Sequence, residues 1–307
     1  MSLTRRSFLK GTAAAAGSGW LARRRLDLID THTHFYDPTR PQGVPWPDPG
    51  DTKLYRRVLP EDYPVPKGPR SVSGTVVVEA SSWLEDNQWL LDLAGRSKFI
   101  VGIVGNLRPG TPDFRDHLRR FAADPLFRGL RVRDRGLGEG LDRRRVVGDL
   151  GFLAERGLAL DVNVPFRALP EVEDLAGEVS DLRLIVNHVA LARIDGKKVD
   201  ETWERQVRSL ARRPNVFMKI SGLVEATGLK DSAPRKADFY RPWLDVLLDA
   251  FGEGRLVYGS NWPVCEKFAP LATVQGIVED YFSPLGEEVL EKIFSGNARA
   301  AYRWIPR

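Results

Sequence analysis

Leu26-Asp27-Leu28-Ile29-Asp30-Thr31-His32-Thr33-His34 is a short apolar run that ends in two histidines two residues apart. Side chains alternate along an extended strand, so on a continuing strand His32 and His34 point to one face. Whether that face is the inside of a barrel depends on how many similar runs follow.

Seven follow, so the candidate strands are Leu26–Ile29, Thr75–Glu79, Phe99–Val104, Gly129–Val132, Ala159–Val162, Leu182–Val186, Val216–Ile220 and Leu256–Gly259. Between them, stretches such as 142–156, 201–213 and 242–251 carry apolar residues at helical spacing with charges on the other side. Eight strands alternating with helices predict an α/β fold, a (β/α)₈ TIM barrel rather than an open doubly wound sheet. Such a barrel gathers its chemistry at the carboxyl ends of the strands. There the sequence places His32 and His34, Glu79, Asn106, Arg131 and Arg133, Asn163, His188, Lys219 and Ser221, and Asn261, one group or more after every strand.

The first connection, residues 35–72, is too long for a plain βα loop and holds Tyr36, Trp46, Tyr55 and Tyr63 among many prolines. It reads as a flap over the barrel mouth, with Trp46 as a stacking surface for a ring-shaped ligand, or as a proline-stiffened structural excursion. Residues 225–240 read as a second rim element.

Of the 307 residues, 42% are hydrophobic and 28% charged, which suits a globular body with a sizeable core. The net charge of +5 is misleading, because Arg5, Arg6, Lys10, Arg23, Arg24 and Arg25 contribute more than all of it and residues 1–25 hold no acid. The body is therefore near neutral, which argues against a nucleic-acid partner. Cys265 is alone, so no intramolecular disulfide staples the fold. No apolar run is long enough for a membrane span. Thr4-Arg5-Arg6-Ser7-Phe8-Leu9-Lys10, followed by a weakly hydrophobic Gly/Ala stretch, resembles a twin-arginine export signal. The expectation is a signal over residues 1–25, a single barrel domain over 26–307, delivery by the twin-arginine machinery and a periplasmic location.

The His-x-His pair, Asn187-His188, Lys219-Ile220-Ser221-Gly222-Leu223 and Gly259-Ser260-Asn261-Trp262-Pro263 fall in order at strands one, six, seven and eight. Together they resemble the amidohydrolase-2 family, in its sugar-lactonase-like branch related to fuconolactonases and to 2-pyrone-4,6-dicarboxylate lactonase. The resemblance spans residues 26–305 and implies a barrel hydrolase that opens small cyclic esters, in a branch where a tightly bound metal is not always required. One departure stands out. That family's last strand usually ends Gly-Ser-Asp, and here the acid is Asn261, whose amide takes no proton from water near neutrality. Related lactonases commonly carry an amide where this chain has Glu79, so the carboxylate reads as moved from strand eight to strand two.

Two mechanisms compete at this stage. In one, His32, His34 and His188 hold a divalent metal, zinc or manganese, and its water attacks the carbonyl. In the other no metal is present; the histidines with Arg131 or Lys219 polarise the carbonyl while Glu79 or His188 takes the proton. Arg131 and Arg133 share a face and form a clamp for a carboxylate or hydroxyl, or else rim salt bridges. Lys219, and Ser221 beside it on the same face, read as substrate contacts. Trp262 and Cys265 read as packing. The leading function is hydrolysis of a sugar-derived lactone; the alternatives are a carbohydrate-binding barrel that has lost catalysis, and a metal-dependent decarboxylase.

Overall fold

The computed structural model describes residues 28–65, 70–133 and 142–307. The twin-arginine segment and the first two residues of the expected first strand lie outside them.

Eight strands form one parallel sheet in sequence order: β1 Leu28–Thr33, β2 Val72–Val78, β3 Ile100–Gly105, β4 Phe127–Arg133, β5 Ala159–Asn163, β6 Arg183–Val186, β7 Val216–Ile220 and β8 Leu256–Tyr258. The strands are rich in Val, Ile and Leu because a parallel barrel buries both of their faces; Val76, Val77, Val78, Ile103, Val104, Leu160, Ile185 and Val257 have no exposed surface. The ring closes beyond β8. Thr33 bridges Trp262 in parallel, His34 N–H donates to Trp262 O at 2.8 Å and Asn261 N–H to His32 O at 2.8 Å. All eight expected strands are present. β1 runs further than its apolar stretch, so His32 and Thr33 belong to the strand itself and the closing segment meets the histidine pair directly.

Helices cover the barrel after most strands, and local chemistry sets their ends. The Asp142 carboxylate caps Arg143–Glu155 by accepting from Arg144 N–H, and Asp200 caps Glu201–Leu210 by accepting from Thr202 and Trp203 N–H. The helix expected from Pro242 begins earlier, at Ala237, and carries that proline inside. Among the described residues no helix is long and apolar enough to cross a membrane.

The long first connection is tied down along its length. Tyr36 and Val58 exchange backbone hydrogen bonds at 2.9 Å, and Tyr63 Oη donates to buried Asp30 at 2.9 Å. Ion pairs strap it to the loops beyond β7 and β8: Lys53 to Asp231, Asp51 to Lys267, and Arg56 to Glu266 at 3.0 Å.

Candidate active site

β1 carries His32, with His34 directly after its end, into the barrel mouth, and His188 follows β6. The His32 ring centroid lies 5.0 Å from that of His34 and 4.4 Å from that of His188. Space for this crowding comes from two glycines. A Cβ on Gly259 would stand 2.7 Å from His32 Cβ, and one on Gly222 2.9 Å from His188 Cβ. Burial holds all three rings neutral: His32 and His188 well below the usual histidine range, helped by Lys219 and Arg131 respectively, and His34 down to about 3, helped by Arg131.

Their proton positions follow from their partners. Lys219 is wholly buried, and its Nζ meets Asp161 Oδ2 at 2.7 Å, Thr31 O at 2.9 Å and His32 Nδ1 at 3.2 Å. An ammonium only donates, so His32 Nδ1 accepts and neutral His32 carries its proton on Nε2. That Nε2 is buried and has no hydrogen-bond partner among the described residues. Burial pulls the Lys219 ammonium below its ordinary range, and adjacent Asp161 pulls it back. His34 Nδ1 lies 2.9 Å from Val78 O, a pure acceptor, so it donates there and leaves Nε2 bare. His188 Nδ1 faces Ser221 Oγ at 2.9 Å, and a hydroxyl admits either tautomer.

Arg131 enters from β4. Its Nε donates to Glu79 Oε1 at 2.7 Å and a terminal nitrogen to Glu79 O at 2.6 Å, while Arg133 reaches the same Oε1 at 3.2 Å. Arg131 is buried, whereas the Arg133 side chain is 61% exposed and stands at the rim. The two arginines thus converge on Glu79 Oε1, the ion-pair arrangement, and leave Oε2 buried with no hydrogen-bond partner among the described residues.

His188 opens an unusual turn: residues 188, 189, 190 and 191 have φ of 52°, 46°, 57° and 49°, a left-handed helical turn. Asn261 also has positive φ, 62°. Its Nδ2 donates to Glu225 Oε1 at 2.8 Å, and its side chain also bonds His34. Glu225 Oε2 is shielded from solvent and has no hydrogen-bond partner among the described residues. Burial raises this carboxyl to about 7, against the pull of its own backbone N–H and of the Asn261 amide. His188, Gly222, Glu225, Lys230, Asn261 and Lys267 line one cavity of about 380 Å³.

A metal on the three histidines does not fit this proton pattern. A metal needs the bare lone pair of His32 Nε2, and the Lys219 contact places a proton there. Among the described residues no group of three His, Cys, Asp or Glu is arranged to hold a metal ion.

The model of the family described as amidohydrolase matches residues 29–304. The chain is an amidohydrolase. It is 30% identical to an L-fucono-1,5-lactonase of Burkholderia ambifaria over 284 residues, covering 90% of this chain and 95% of that protein. It is 31% identical to an L-fucono-1,5-lactonase of Burkholderia multivorans, covering 89% and 95%. Two crystal structures of an amidohydrolase from Burkholderia multivorans resemble it over 91% of this chain and 99% of that one. One, with bound HEPES, has a TM-score of 0.76 at 25% identity; the other, with bound zinc, 0.73 at 26%.

In this amidohydrolase, His32, His34, His188 and Arg131 meet at one mouth, with Asn261 beside them. Lys219 and Ser221, expected as substrate contacts, lie behind the histidines; with 0% and 1% exposure they hold His32 and His188 instead. Trp46 packs edge-on against His34, ring centroids 5.7 Å apart, and is only half-buried. Asn106 is structural, donating to Ser81 O and Trp83 O at 2.6 and 3.0 Å. The sequence reading missed Asp161, which anchors Lys219, Asn187 Nδ2 at 2.8 Å and Tyr302 Oη at 2.7 Å. Its inward-facing place on β5 was a signal. It missed Glu225 too, which lies in a short 3₁₀ turn where no periodicity marks it.

Proposed function

We propose that this amidohydrolase opens small sugar-derived lactones by attack of water on a carbonyl bound among His32, His34, His188 and Arg131. The observation that carries the reading is His32 Nε2–H, a buried donor with no acceptor among the described residues. A lactone carbonyl oxygen supplies that acceptor, and the bond strengthens as the oxygen gains charge in the tetrahedral intermediate. Arg131, fixed by Glu79, adds positive potential at the same place. The cavity of about 380 Å³ that His188 and Asn261 line is of a size for a single sugar ring. Arg133, exposed at the end of β4, and Trp46, edge-on to His34, offer the hydrogen bonds and stacking face that a polyhydroxylated ring needs. The named activity of the two Burkholderia relatives supports the same reaction class.

A panel of aldonolactones in weak buffer with a pH indicator tests this: acid release above the spontaneous rate is expected for at least one six- or five-membered sugar lactone. Asn261, in place of an acid, favours a second reading, a sugar-binding barrel without turnover. Ligand-induced thermal stabilisation without acid release would select it. We further propose that residues 1–25 direct twin-arginine export to the periplasm. Fused to a reporter, they are expected to deliver it there, and Arg5→Lys with Arg6→Lys to retain it inside; export of the doubly substituted fusion would refute the assignment.

A further inference from the structure

The attacking water must lose a proton, and its acceptor is not settled by the histidine cluster. Glu79 shares Oε1 between Arg131 and Arg133 and also leaves an unpartnered Oε2, but it does not line the cavity beside His188. Of the residues lining the cavity beside His188, Glu225 is the one carboxylate. Its Oε1 is held by Asn261 Nδ2 at 2.8 Å, while Oε2, shielded from solvent, has no hydrogen-bond partner among the described residues.

We propose that Glu225 is the general base of this enzyme and that Asn261, at the end of β8, is its positioning residue. The assignment rests on the lactone-hydrolysis reading. Water oxygen bonds to the carbonyl carbon as Glu225 Oε2 takes one of its protons, and the carbonyl electron pair moves to the oxygen facing His32 Nε2–H. When the intermediate collapses, the bond to the ring oxygen breaks and that oxygen takes the proton back from Glu225. A hydroxy acid results and the carboxylate is regenerated. The groups facing Glu225 are compatible with this shuttle. Buried Tyr240 and Cys265 are both pushed up, so neither adds charge, and Lys230, Lys267 and neutral His188 share the cavity wall. A carboxyl at about 7 is matched to accepting and returning a proton near neutrality.

The test compares wild type, Glu225→Gln, Glu225→Asp and Glu225→Gln with Asn261→Asp on the lactone that the panel identifies, with pH profiles of kcat and melting temperatures. Glu225→Gln is expected to lose at least about 100-fold in kcat at unchanged melting temperature and to abolish the limb of activity rising through pH ~7. Asn261→Asp, which supplies a new carboxylate beside the vacated one, is expected to restore at least about tenfold of that loss. If Glu225→Gln does not fold, Glu225→Asp decides: its retracted carboxylate should lower kcat yet keep a rising limb. Turnover within about threefold of wild type, with the limb in place, in the folded variant overturns the assignment alone. Absence of acid release by wild type overturns the lactone reading, and this assignment with it.

Discussion

Lys219 shows how one side chain fixes the chemistry of another. It meets three acceptors, and one of them dictates the tautomer of His32. Lys219→Met strips the cation from buried Asp161, so a loss of about 3–5 kcal/mol is expected in urea unfolding; adding Asp161→Asn should recover part of it. The same tautomer argument predicts that dialysis against a chelator leaves turnover unchanged and that added zinc does not raise it. A metal-dependent rise in kcat would mean that Lys219 releases its proton and that the histidines are ligands after all. The depressed histidines also set an acid limit. His34 titrates near 6.5 when unfolded and at about 3 when folded, so the unfolded chain binds the extra proton throughout that window. Its contribution is intact above pH 6.5 and is lost as pH falls, by about 2 kcal/mol between pH 6.5 and 5 from this residue alone. His34→Gln should flatten the fall in the urea midpoint over that range, and an unchanged slope would contradict it.

At the scale of elements, the strands were legible because burial on both faces leaves continuous Val, Ile and Leu runs, and the histidine pair because a period of two survives in any strand. The turn at residues 188–191 was not legible: His-Val-Ala-Leu contains no glycine or asparagine, the usual markers of left-handed backbone. Glu225 was hidden for a similar reason, since a turn after β7 has no pattern to break. The left-handed turn stores strain that a glycine would release. Leu191 is 43% exposed with φ of 49°, so Leu191→Gly sacrifices little burial. It is expected to raise stability by about 1 kcal/mol, against the ordinary cost of a helical glycine; a fall of similar size in thermal melts would show that the turn is not strained.

For the whole molecule, closing the barrel and covering its mouth are one problem, and Asp30 joins the two. It is fully buried on β1, and its Oδ1 accepts from His32 N–H at 3.1 Å and Ser260 N–H at 2.8 Å, linking the first strand to the segment after the last. Its Oδ2 accepts from Tyr63 Oη at 2.9 Å, which brings the long first connection into the same node. Of the ion pairs that strap this connection to the rim, Lys53–Asp231 and Arg56–Glu266 are well exposed, about 0–1 kcal/mol each, so they guide its position and contribute little to its anchoring, while Asp51–Lys267 is more sheltered. Asp30 presents acceptors to three donors, and an amide in its place must turn an N–H₂ toward at least one of them. Asp30→Asn is therefore expected to cost about 3 kcal/mol and to lower the melting temperature by roughly 5–10 °C. Tyr63→Phe should cost about 1–2 kcal/mol, while Lys53→Ala should change stability by less than about 0.5 kcal/mol. If the order were reversed, with the strap outweighing the node, the flap would be a surface appendage and the barrel would close without it.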